Sequence, residues 1–331
     1  MLDRLPDPLL RLIQSNFENV KDKVRFSSVN KATRRTVDIT HVRVILEPTY
    51  DTLCSFAEWL CVHVETIESL DIMTDLMQWS TVWHFYGYHI CPKLAKIRLT
   101  HTTGTFLIMT CPENFLPISP AVRSLEITGH MSLHVGEGFS RFSKMQDLVL
   151  QTPGYLWIDA MALAVPYLRS VKLVGEVRTP HVSMSGLSIC ALTRLECPAS
   201  VLFVVKWFEK LEKLVLSGST TGVADVEPLI RPSSVELVCG RWPSLHWLPR
   251  HLKEFKIVAC CVATSVPRAV RVLSVIDCAM TDVFANSIAA LHLDKFVFYS
   301  LSCMPPVKRM SVRAVRYEIP DRDLSYFDFL C

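Results

Sequence analysis

Long hydrophobic runs are missing from this 331-residue chain, although half of its residues are apolar and its mean hydropathy is +0.28. A stretch such as Leu202 to Val205 ends at a charge after four residues. A membrane-spanning helix needs about 20 nearly uninterrupted apolar residues, so no membrane partner is expected. Glycine is scarce, at 11 residues, and neither G-x-x-x-x-G-K-[ST] nor G-x-G-x-x-G occurs. Phosphate-cradling loops of those kinds are thereby excluded. H-E-x-x-H and G-x-S-x-G are also missing, which removes the corresponding zinc-peptidase and serine-hydrolase chemistry. No Asn-x-Ser/Thr sequon is present. The opening residues, Met1-Leu2-Asp3-Arg4-Leu5-Pro6, place acid and proline where a signal peptide needs a basic and then an apolar run. A cytoplasmic and/or nuclear location with reduced thiols is therefore expected. The 12 cysteines contain no C-x-x-C and sit mostly singly among apolar residues, with Cys260-Cys261 an adjacent pair. They read as small buried apolar residues rather than zinc or redox ligands. The net charge is only +3, and residues 1–40 hold eight Lys/Arg against five Asp/Glu, so the excess lies there. No concentrated basic stripe exists to bind nucleic acid.

What the chain has instead is a repeat. Apolar residues recur at positions i, i+3 and i+5, most clearly at Leu94/Ile97/Leu99, Val122/Leu125/Ile127, Met145/Leu148/Leu150 and Leu168/Val171/Leu173. The pattern continues at Leu192/Leu195/Cys197, Leu211/Leu214/Leu216, Leu252/Phe255/Ile257 and Val270/Leu273/Val275. Weaker copies stand at Ile39/Val42/Val44, Ile67/Leu70/Ile72, Pro232/Val235/Leu237, Leu293/Phe296/Phe298 and Val307/Met310/Val312. In L-x-L the two apolar side chains point the same way, because a strand alternates faces. One such unit cannot bury its apolar face alone, but a stack makes a continuous core. The 13 starts between residues 39 and 307 are about 22 residues apart, within the range of the leucine-rich repeat. The array resembles that family, which implies an α/β, right-handed solenoid with a parallel concave sheet over residues 39–316. The family's Asn or Cys at i+8 is met by Cys260 and Cys278, whereas other repeats carry Thr102, Ser200 or Ser219, or depart further. The array is irregular.

Repeat length predicts what crosses the back of the stack. The first three spacings, of 28, 27 and 28 residues, leave room for helices. Leu53, Phe56, Ala57, Leu60, Cys61 and Val64 recur at helical intervals, as do Leu76, Trp79, Trp83 and Tyr86. Further helices are expected over Leu156–Val165, Val201–Leu211 and Asp282–Leu291. Between residues 211 and 270 the repeats shorten and prolines intervene, which predicts extended or turn-like returns.

Residues 1–38 have a different character. Asp7 before Pro8 suits a helix start, and Leu9, Leu10, Leu12, Ile13 and Phe17 follow at helical spacing. Two more short helices fit Lys21–Ser28 and Asn30–Val37. Three such helices hold too little core to stand alone. Leu5-Pro6-Asp7-Pro8-Leu9-Leu10-Arg11-Leu12-Ile13, followed by Asp22-Lys23-Val24-Arg25-Phe26-Ser27-Ser28-Val29-Asn30-Lys31, resembles the F-box, with Pro8 in place of the usual acid and Thr33 where Trp is common. The resemblance implies a three-helix segment that docks on a Skp-type adaptor and through it a cullin, in a ubiquitin ligase complex. Leu5, Pro6, Leu9, Leu10, Ile13, Val24 and Val29 would then contact the adaptor. A plain cap over the open end of the solenoid accounts for the same residues.

If i+3 and i+5 face inward, then i+2, i+4 and i+6 face outward. The i+4 column reads Asp71, Arg98, Glu126, Val149, Lys172, Glu196, Val215, Glu236 and Lys256, a series suited to cross-strand ion pairs. Later repeats place Val238, Val258, Val272, Ile276, Val297 and Tyr299 outward, and contiguous apolar surface of this kind marks an interface. These six residues are the candidate target-binding set. A tail over residues 317–331, with Tyr326, Phe327, Phe329 and Leu330, offers a second explanation by covering them. No metal site is expected: His84 and His89 are five apart, and His130 and His134 lack a third ligand. No cofactor and no catalytic residue are expected, since a receptor acts by holding its target near a charged ligase. The expected function is therefore that of a non-catalytic substrate receptor. The alternative is a leucine-rich-repeat interaction scaffold with no ligase role.

Overall fold

A computed structural model describes residues 40–86, 90–102, 106–110, 116, 119–136, 139, 141–158, 165–178, 191–205, 208–218, 229, 231–299, 311–312 and 315–316. The F-box-like segment and the tail fall outside these residues. The chain divides into two compact units at Ala191/Leu192.

The first unit contains β1 (His41–Ile45), helix α1 (Tyr50–His63), β2 (Ser69–Thr74), helix α2 (Leu76–Tyr86), β3 (Lys96–His101) and β4 (Leu107–Thr110). It continues with β5 (Ser124–Gly129), β6 (Met131–Val135), β7 (Asp147–Ile158) and β8 (Ser170–Arg178). Strands β1, β2, β3, β5, β7 and β8 pair in that order, every pair parallel. The register is set by the repeat. Val42, Leu70, Ile97, Leu125, Leu148 and Val171 face one another in a column, as do Val44, Ile72, Leu99, Ile127, Leu150 and Leu173. Both columns are buried, while the intervening residues are half-buried or exposed. Each fully buried Leu or Ile contributes on the order of 1.5–3 kcal/mol.

The second unit repeats the scheme. Its elements are β9 (Arg194–Pro198), a 3-10 turn (Ala199–Val201) running into one α-turn (Leu202–Val205), β10 (Lys213–Ser217), β11 (Ser234–Trp242) and β12 (Glu254–Val262). Then follow β13 (Val272–Ile276), β14 (Ala279–Met280), helix α3 (Asp282–Ala289), β15 (His292–Leu293), β16 (Lys295–Tyr299), β17 (Ser311–Val312) and β18 (Val315–Arg316). The parallel order is β9, β10, β11, β12, β13, β16, β18, with β14 on β12 and β15 on β17. Leu195, Leu214, Val235, Phe255, Leu273 and Phe296 form one buried column, and Cys197, Leu216, Leu237, Ile257, Val275 and Phe298 the other.

One hydrogen-bond motif locks this register. The carbonyl at i+1 accepts from two successive N–H groups of the next repeat, as Glu68 does from Ala95 and Lys96, at 2.8 and 3.1 Å. Thr40, Ala95, Arg123 and Gln146 do the same in the first unit, and Thr193, Glu212, Ser233, Lys253 and Arg271 in the second.

Behind the strands lie α1, α2 and α3, whereas the third long repeat carries β4 among its described residues. Thr49 caps α1, its hydroxyl accepting from the Thr52 N–H at 3.4 Å, and Leu53, Phe56, Ala57 and Leu60 are buried. The Asp75 carboxylate accepts from the Met77 N–H at 2.9 Å, while buried His101 Nδ1 accepts from the Leu76 N–H at 3.2 Å. Two of the unpaired donors at the start of α2 are thus satisfied. Trp79 and Trp83 stack at 5.1 Å, and Phe56 lies 5.9 Å from Trp79. Thr281 caps α3 by accepting from the Phe284 N–H at 3.3 Å and donates back to the Val262 carbonyl at 3.2 Å.

Three expectations need correction. Residues 156–158 are not helical: β7 runs through Ile158, with Leu156 and Ile158 buried and Tyr155 and Trp157 turned outward. The alternation of period 2 overrides the helical spacing of Leu156 and Val165. Here the back of the sheet carries a second strand layer, β4 on β6 and β6 on the distal half of β7. The last repeat is also displaced, because Phe296 pairs with Val315 rather than Met310, moving the repeat start from Val307 to Val312. The helix expected over Val201–Leu211 is confined among the described residues to one turn.

Sharp corners fall at i+7, inside β8, β11 and β12, at the end of β5, and just after β10 and β13. Gly129, Gly175 and Gly218 have φ of 133°, 139° and 85° there, and Cys239, Ala259 and Asp277 have φ of 49°, 51° and 49°. A Cβ on Gly129 would lie 2.6 Å from the Cβ and carbonyl oxygen of His101, whereas one on Gly136 would meet nothing within 4 Å. Gly129→Ala is expected to cost roughly 2–4 kcal/mol, from left-handed strain plus overpacking, and Gly136→Ala less than about 0.5 kcal/mol. Urea titrations of the two variants measure the contrast, and equal midpoints would refute this account of the corner.

Candidate protein-binding face

The outward face of the first unit carries cross-strand polar pairs beside apolar residues such as Ile45, Met73 and Val149. The Arg98 guanidinium donates to Glu126 at 2.7 Å, Arg43 lies 3.5 Å from Asp71, and the Thr100 and Thr128 hydroxyls meet at 3.2 Å. These pairs are partly exposed, with 45% of the Arg98 side chain open to solvent, so each contributes only tenths of a kcal/mol. Register brings them together, since i+4 of one repeat stands beside i+4 of the next.

In the second unit the same positions turn apolar. Val238, Val258, Ile276 and Tyr299 share the i+6 level and are direct register partners across β11, β12, β13 and β16. Val297 stands at i+4 of β16 and Val272 at i+2 of β13. All six candidate target contacts therefore lie on one outward face, four of them in an unbroken row. Val238 and Val297 are each 7% exposed, as buried as core residues, while Val258, Val272, Ile276 and Tyr299 are half-buried. Val215 belongs to the same face and is 4% exposed, a residue that the charged neighbours in its column concealed in the sequence. The adaptor candidates Leu5, Pro6, Leu9, Leu10, Ile13, Val24 and Val29 lie outside the described residues.

One ion pair crosses this apolar region. Lys256 Nζ sits 2.8 Å from Glu236 Oε1, and the Glu236 side chain is only 11% exposed. Removing the lysine leaves a largely desolvated carboxylate without its charge partner.

Inside the corner that follows the row lies a column of thiols. Cys260 and Cys278 occupy equivalent i+8 positions in successive repeats, and each donates its S–H to the carbonyl two residues back, Val258 and Ile276, at 3.1 Å. Burial pushes the Cys260 thiol up to about 12, the nearby Cys278 adding to the effect and hydrogen bonds partly opposing it. Cys278 is raised chiefly by burial as well. Elsewhere burial raises Cys91 to about 11 and holds Cys197 far above the ordinary range. Such thiols are protonated and unreactive at neutral pH. Cys260 and Cys278 serve as hydrogen-bonding core residues.

Among the described residues no three His, Cys, Asp or Glu side chains group to hold a metal ion. No helix among them is long and apolar enough to cross a membrane. No protein-family profile matches the chain, and no curated protein matches it.

Two outcomes follow from this geometry. Lys256→Met alone should destabilise by about 1–3 kcal/mol through the stranded Glu236 carboxylate, and adding Glu236→Leu should recover most of it, as a double-mutant cycle in urea would show. Stability should also fall with rising pH. The Cys260 thiol ionises near 9 when unfolded but only near 12 when folded, so its stabilising contribution is complete below about pH 9 and is lost progressively towards 12. Urea midpoints between pH 8 and 11, compared with those of Cys260→Ala, isolate this slope.

Proposed function

We propose that this chain is the substrate-recognition subunit of a Skp–cullin–F-box type ubiquitin ligase. In this reading residues 1–38 form a three-helix F-box, and residues 39–316 form a right-handed leucine-rich-repeat solenoid that holds a protein target on its concave sheet. The observation that carries the reading is the in-register parallel array itself, following a segment whose Leu-Pro-x-x-Leu-Leu and Asp-Lys-Val halves fall at F-box offsets. An array of this kind offers a broad, rigid face and no catalytic machinery of its own. That suits a subunit whose contribution is to raise the local concentration of a target near an enzyme. Leu5, Pro6, Leu9, Leu10, Ile13, Val24 and Val29 supply the apolar contacts to the adaptor, and Val238, Val258, Val272, Ile276, Val297 and Tyr299 bear on the target. The chain acts in the cytoplasm and/or nucleus, with thiols reduced and no cofactor. A repeat scaffold without a ligase role is the competing reading, since the array alone is compatible with it.

Purified Skp-type adaptor separates the two. The full chain is expected to retain the adaptor in a pull-down at micromolar concentration, and Leu9→Asp with Leu10→Asp is expected to lose retention at least tenfold while leaving the thermal unfolding of the array unchanged. No retention by the folded full chain, or undiminished retention by the double variant, sinks the ligase reading in favour of the scaffold.

A further inference from the structure

We draw no further inference here: the strongest candidate, the exposed apolar surface of Phe106, Ile108 and Tyr155 on the β4–β6–β7 layer of the first unit, carries none because nothing in the structure shows what covers it.

Discussion

Everything in this molecule depends on register, and register depends on one carbonyl per repeat. At i+1 the chain turns into its strand and offers a single oxygen to two successive N–H groups of the following repeat. A slip of one residue would send each inward side chain outward, so the L-x-x-L-x-L pattern and the forked hydrogen bond enforce each other. The pattern supplies the apolar reason for the register. The carbonyl supplies its polar geometry. Repeats of 18 to 28 residues can then stack, because their extra length is taken up outside the i+1 to i+6 segment; the register shift of β7, between Gln151 and Tyr155, falls just beyond it.

Fixed register turns sequence position into chemistry by columns. Inward columns hold aliphatic and aromatic residues, with a buried Cys197 taking one leucine position. Outward columns are free to vary, and they vary by unit. In the first unit Arg43–Asp71 and Arg98–Glu126 pair across neighbouring strands at partly exposed positions, each worth only tenths of a kcal/mol. In the second unit, the half-buried Val258, Ile276 and Tyr299 present apolar area that gains free energy when covered.

Most of this could be read before any coordinates, for a physical reason. Inward columns are under the strictest constraint, so Leu70, Ile97, Leu125 and their counterparts announce themselves. So do the helical faces of α1, α2 and α3, where the period of 3.6 is unbroken. The errors fall where a pattern admits two solutions. Leu156 and Val165 fit a helix, but Thr152, Leu156 and Ile158 fit a strand, and pairing with β6 and β8 decides between them. Near the end, Val307/Met310/Val312 and Val312/Val315/Tyr317 satisfy the same template. Only the partner strand, through Phe296, chooses the second. The left-handed corners at Cys239, Ala259 and Asp277 left no trace in composition, because stacking constraints rather than glycine hold them there.

Those corners bear on the candidate face. Each sits one residue beyond the row: Cys239 after Val238, Ala259 after Val258, Asp277 after Ile276. A non-glycine residue at φ near 50° costs on the order of 1 kcal/mol, and three in succession persist only because the surrounding structure over-determines them. The Cys260 and Cys278 thiols contribute to that at the last two corners, each donating to the carbonyl of the row residue that precedes the corner, Val258 and Ile276. The row's backbone is thereby fixed from behind, with its outward side chains held at strand spacing before any partner arrives. A surface ordered in advance loses little conformational entropy on being covered. Apolar side chains held in such a line therefore bind a partner at less ordering cost than the same area on a mobile loop.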